Sequence, residues 1–231
     1  MVEVRDLRAL AELIDTTDPG WPLVTEWLSQ ASVPVEVLPA DPQQADQVLL
    51  AAQLTTRSPM GAIIHNTGGL LIDDGWLRVL GSGHDRQPRN LSSWNAMSLP
   101  VQDQRLPGAC LFADDVVGGF FALNGNAFDA QPGHVQYFAP DTLNWEDLKM
   151  TYSRFLVWAC SGRLAKFYES FRWQGWQEEV RTIVGDKGLS IYPFLWADGP
   201  SISERSRKAV PMEDLWGLQM NMRTQMMKVQ E

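Results

Sequence analysis

Residues 112–128 read FADDVVGGFFALNGNAF: two adjacent aspartates, a Gly-Gly pair and an Asn-Gly-Asn inside an apolar, aromatic run. If Asp114 and Asp115 converge on one ion or share a proton, the chain is a candidate enzyme. If they turn one buried strand into the next, the segment is the corner of a sheet. Neighbouring residues of a strand project to opposite faces, so adjacent carboxylates on a regular strand diverge. In a turn, Asp caps its own backbone, and a following glycine supplies the positive φ of the reversal. Turn-former is therefore the favoured reading, for Asp114–Asp115 and equally for Asp73–Asp74 in LLIDDGWLRVL.

Outward from this corner, ACLFA (109–113), GFFAL (119–123) and HVQYFA (134–139) read as strands. Upstream, GAIIHNTGG and LLIDDGWLRVLGSG are short apolar runs broken by Gly and Asx residues, the pattern of β-hairpins. Residues 84–108 are polar and aperiodic, a surface excursion with a short helix around Trp94. Three helices are expected before the strands. The first runs over Val4–Ile14, and the second starts at Pro22 with Leu23, Val24, Trp27, Leu28 and Ala31 as its apolar stripe. The third is capped by Asp41, with Pro42 at its first position, and ends near 55–59. Pro140 and Asp141 close the sheet, and helices return over 148–160, 163–173 and 176–185. LSIYPFLW (189–196) is extended, RSRKAV (205–210) is a basic tail segment, and 211–227 is helical. The order predicts one α+β domain over 1–231: N-terminal helices, a central antiparallel sheet of about five to six strands, and C-terminal helices packed on it.

The 231 residues are 45% hydrophobic, enough for a sizeable core, and the formal net charge is −9. Phosphate recognition needs a basic stripe, so nucleic acid is not an expected partner. An acidic surface suits a basic protein partner, although acidity also simply keeps a protein soluble. No apolar run approaches the roughly 20 residues that cross a bilayer, and MVEVRDLRALAELI is too charged for a signal peptide. Cys110 and Cys160 sit in apolar stretches and read as buried free thiols, so a cytoplasmic setting is expected.

Chemistry-bearing spacings are sparse. His65, His84 and His134 have no HxxxH or HExxH spacing, and neither Asp pair has the spacing of a calcium loop. No metal or cofactor is expected. Ser82 lacks the GxSxG context because position 80 is Leu, and the phosphate-loop and dinucleotide patterns do not occur. Glu146, Glu169, Glu178 and Glu179 read as solvated helix faces. The ten tryptophans favour either a dense core or a contact surface. Trp76, Trp94, Asp114, Asp115, Trp145, Trp173 and Trp176 are the candidate interaction residues, with no catalytic residue assigned.

The pattern carries a resemblance. Asp115, Gly118, Gly119, Gly133, Val135, Tyr137, Trp145, Ser153, Phe155 and Leu156 follow the strand–turn–strand–helix layout of the SUKH superfamily over roughly 109–162. More broadly, DPGWPLVTEW, PVEVLPAD, TTRSPMGAI, GWLRVLGSG, YFAPDTLNWEDL and FYESFRWQGWQEEV are similar to the uncharacterised bacterial family DUF2625. The SUKH likeness implies a core over about 20–162 with a helical extension over about 163–231. It also implies recognition of another protein, as in toxin-neutralising immunity proteins and fungal cell-wall regulators. Two other readings stay open. One is a small-ligand or metal-binding enzyme using the Asp-rich hairpins with His65 or His134; the other is a homo-oligomer joined through Trp and Met at 216–227. Oligomeric state, monomer or homodimer, is undecided.

Overall fold

The computed structural model describes residues 7–97 and 104–229. The start of the expected first helix, Val4 to Asp6, lies outside them, and the helix itself is a short α1, Leu10–Leu13. Helix α2 (Trp21–Ser29) follows with Pro22 in its first turn, and β1 is Val35–Pro39. Asp41 caps α3 (Pro42–Ala52) by accepting the Gln44 N–H at 2.8 Å.

The next element differs from the hairpin expected of it. GAIIH is helical: α4 spans Pro59–Asn66, capped by Ser58, whose Oγ accepts the Gly61 N–H at 3.0 Å. Pro59 begins a helix here as its first residue, a position where the missing N–H costs nothing. Gly61 then lies so close to the Thr55 carbonyl that a Cβ would collide with it. Strand β2 (Thr67–Ile72) directly follows α4, and β3 (Leu77–Leu80) completes the hairpin around Asp73–Trp76. Here Asp73 and Asp74 do form the turn, at φ 55° and 60° with Gly75 at 85°, and Trp76 N–H donates to the Asp73 carbonyl at 3.0 Å.

The excursion carries the expected short helix, α5 (Leu91–Trp94), and the sheet resumes with β4 (Ala109–Asp115), β5 (Phe120–Asn124) and β6 (Val135–Ala139). The sheet does not end at Pro140. NWED forms a seventh strand, β7 (Asn144–Asp147), and α6 (Tyr152–Ala159) begins only after the Thr151 cap. The remaining elements are α7 (Arg163–Phe167), a 3-10 turn at Glu169–Phe171, α8 (Trp176–Arg181), β8 (Lys187–Tyr192), β9 (Ser206–Pro211) and α9 (Met212–Val229). The extension expected to be helical thus contains a two-stranded antiparallel sheet, with RSRKAV as one of its strands. None of the described helices is long and apolar enough to cross a membrane.

The main sheet runs β1-β2-β3-β4-β5-β6-β7 in chain order, every neighbour antiparallel, one or two strands more than expected. Helices cover both faces. Phe121 of β5 packs against Phe155 of α6, while its neighbour Phe120 packs against Trp94 of α5 and Trp216 of α9. A bulge between Leu111 and Ala113 of β4 lets Phe112 also reach Tyr152 and Phe155. The architecture is α+β with helices before and after the sheet.

Candidate functional site

Strand alternation sends the two aspartates of the corner to opposite faces, and each meets a different network. Asp114 is buried on the α5 side. It stands opposite Arg78 in the β3–β4 ladder, with Arg78 Nη2 2.7 Å from Oδ1 and Arg89 Nη1 2.7 Å from Oδ2. Both guanidiniums continue to backbone carbonyls: Arg89 Nη2 donates to Gly185 at 2.6 Å, and Arg78 donates to Asp115 at 3.2 Å and to Lys187. One carboxylate therefore ties the sheet to the excursion and to the start of β8. Burial lowers the Arg78 pKa, and the Asp114 charge works against that shift. Asp114 is a strand residue in a buried ion pair rather than a turn-former.

Asp115 points to the other face and does hold the turn. Its Oδ1 accepts the N–H groups of Val117 (3.1 Å) and Gly119 (2.8 Å), and Tyr137 Oη donates to its Oδ2 at 3.0 Å. The Gly pair has two separate reasons. Gly118 takes φ 90°, and a Cβ on Gly119 would collide with Asp115 Oδ2 and Tyr137 Oη. Burial pushes Asp115 up to about 6, against the pull of the Gly119 N–H and the tyrosine hydroxyls. Burial and the Asp115 charge hold Tyr137 and Tyr168 well above the ordinary phenol range.

The other hairpin aspartates anchor C-terminal elements. Asp73 pairs with Arg172, and Arg181 binds Asp74 Oδ1 through Nε at 3.0 Å and Nη2 at 2.8 Å. Neither His65 nor His134 is a hydrogen-bond or ion-pair partner of these four aspartates; His134 Nδ1 lies 3.1 Å from both oxygens of Asp147 instead. Among the described residues, no group of three or more His, Cys, Asp or Glu is placed to hold a metal ion. Cys110 and Cys160 are free, with burial pushing their thiols up to about 12 and about 11.

The residues singled out as a contact surface do not make one. Trp76, Trp94, Asp114, Asp115, Trp173 and Trp176 are all buried. Trp76 is the hub of one cluster, with ring centroids 5.1 Å from Trp176, 5.7 Å from Trp173 and 5.4 Å from Tyr168. Trp94 belongs to another, with Arg89 and Arg105 over its ring at 4.5 and 4.1 Å. Trp145 is half-buried on the edge strand β7, against Phe128 and Phe138. In an antiparallel sheet covered on both faces, large rings fill the interior before they can serve a surface.

Two of the open grooves among the described residues bear on function. One, of about 910 Å³, lies between the start of α3 and the loop Gly83–Pro88. Its helix terminus is already engaged, since Asp41 caps Gln44. The other, of about 780 Å³, lies between α2 and α6. Half-buried Trp27 and Trp158 line it together with exposed Val157, and exposed Lys149, Arg154 and Arg163 also line it. Lys149 is set on the rim by left-handed backbone (φ 53°), its N–H donating to Asp147 Oδ1 at 2.8 Å. A trace of this groove lies in the sequence: Arg154, Val157, Trp158 and Ser161 form a second i, i+3, i+4, i+7 stripe beside the core stripe of Tyr152, Phe155, Leu156 and Ala159.

Comparison with known proteins gives one family model, described as "Protein of unknown function DUF2625", matching residues 10–215. The chain is 44% identical over 217 residues to the uncharacterised protein YbfG of Escherichia coli K12, covering 94% of this chain and 98% of that protein. It is 36% identical over 208 residues to an uncharacterised protein of Haemophilus influenzae Rd, covering 90% and 91% respectively. No solved structure matches it.

Proposed function

The chain belongs to the DUF2625 family, and we propose that it works as a non-catalytic protein-recognition module. One contrast carries the reading. The groups able to do acid–base chemistry at the corner, Asp115 and Tyr137, are sealed and bonded to each other and to the turn, whereas the α2–α6 groove presents aromatic and cationic side chains to solvent. Trp and Arg are the residues that most often dominate protein–protein contacts. The likeness of residues 109–162 to the SUKH pattern supports the same reading, with an immunity or regulatory role as its specific form.

The test places a photo-crosslinking residue at exposed Val157 and irradiates the protein in lysate of a bacterium that carries the family. One defined protein, captured at high yield and competed away by unlabelled wild-type protein, is the expected outcome. If position 157 gives only diffuse, uncompeted adducts, the recognition reading fails.

A further inference from the structure

We propose that the α2–α6 groove docks an acidic segment of the partner protein, seated by one apolar or aromatic side chain between Trp27 and Trp158. The inference rests on the recognition reading and specifies its ligand chemistry.

Local charge at the groove departs from the charge of the whole chain. The chain carries 28 acidic and 19 basic residues, and many of its arginines are neutralised: Arg86 by Glu36, Arg105 by Glu213, Arg181 by Asp74 and Arg207 by Glu179. Lys149, Arg154 and Arg163 instead converge on one groove whose lining holds no carboxylate, and none of them makes an ion pair among the described residues. They come from the β7–α6 connection, from α6 itself and from the first turn of α7, so the cluster is assembled by the fold rather than by a basic run in sequence.

Between them the lining is largely apolar: Trp27, Leu148, Met150, Val157 and Trp158, with Val157 48% exposed. Guanidinium groups bind carboxylates through paired hydrogen bonds, and a partly desolvated apolar floor strengthens such pairs. The net charge of −9 argues against a polyanion such as nucleic acid, whose long run of phosphates would meet repulsion beyond the groove. A short acidic segment with an apolar anchor fits within the groove, where the three cations and the two tryptophans lie. Net charge led to the expectation of a basic partner; at this groove the local charge has the opposite sign.

The probe is a displayed library of random peptides, selected on wild-type protein and on Arg154→Glu/Arg163→Glu. Both positions are exposed, and unchanged thermal melting verifies that the variant is folded. Wild type is expected to enrich peptides with Asp or Glu flanking a Trp, Phe or Leu. Their affinity should fall at least about tenfold in the variant, fall with added salt, and recover when the peptide's acids are replaced by Lys. A basic or neutral consensus, or equal binding to both proteins, overturns the acidic-segment proposal while a crosslink at position 157 keeps the recognition reading. A single-stranded oligonucleotide that outcompetes the peptides overturns it in favour of nucleic acid. Enrichment of nothing, together with no competed crosslink, overturns both.

Discussion

At Asp115 a carboxylate accepts three hydrogen bonds in a corner closed to water, and burial still outweighs them, raising its pKa to about 6 from 3.8. A raised acid stabilises the fold fully below the unfolded pKa, and that contribution is lost as pH rises through the folded one. Between about pH 4 and pH 6 the folded chain holds a proton that the unfolded chain has released, so stability falls as pH rises across that window. Asp115→Asn cannot titrate. Thermal or urea melts at a series of pH values should show wild type losing on the order of 3 kcal/mol relative to Asp115→Asn across that range. Parallel profiles would show that Asp115 does not titrate there. At this scale the favoured turn reading holds for Asp115 and not for the strand residue Asp114, and alternation gave their divergence only for a regular strand. It could not reveal Arg89 or Tyr137 as their partners, because those arrive from distant parts of the chain.

Among elements, the β3–β4 ladder is where a long-range pairing is made definite, since it sets Arg78 directly opposite Asp114. Removing one member of a buried pair strands the other charge, while replacing both with apolar groups does not. Asp114→Ala should therefore cost about 3–5 kcal/mol, and Arg78→Met/Asp114→Leu less, because the charge then left without its partner is Arg89, which is nearer solvent than Arg78 and keeps its bond to the Gly185 carbonyl. Urea unfolding of the two variants decides it; equal losses would mean that a stranded Arg78 charge is not what destabilises Asp114→Ala. Most element types were readable from periodicity, as with α3, β4–β6 and α9. The departures have local causes. GAIIH has the apolar density of a buried strand, and a short apolar run cannot be told from a buried helix by period alone. At NWED, the left-handed Leu143 (φ 55°) reverses the chain after Pro140, so the segment returns as an edge strand.

Over the whole molecule, α9 closes one face of the sheet. Trp216 stacks edge-on to Phe120 at 4.9 Å and to Trp94 at 6.4 Å, and Arg105 reaches across to Glu213 through two bonds of 2.7 Å. The first half of a C-terminal helix is thereby made part of the core. Trp216→Ala should cost about 3–5 kcal/mol in a single cooperative urea transition; a loss below about 1 kcal/mol would mark α9 as an appendage.

The sequence by itself determined the α+β class and the order of most helices and strands. These follow from short-range sterics and from the two side-chain periods of helix and strand. Tertiary structure alone decided that the candidate residues Trp76, Trp94, Trp173 and Trp176 are interior. It also decided that Trp27, Lys149, Arg154, Trp158 and Arg163 share a groove opposite in sign to the whole chain. Burial of apolar area brings distant segments together without regard to their spacing, so the charge of an assembled patch is a property of the fold and not of the composition.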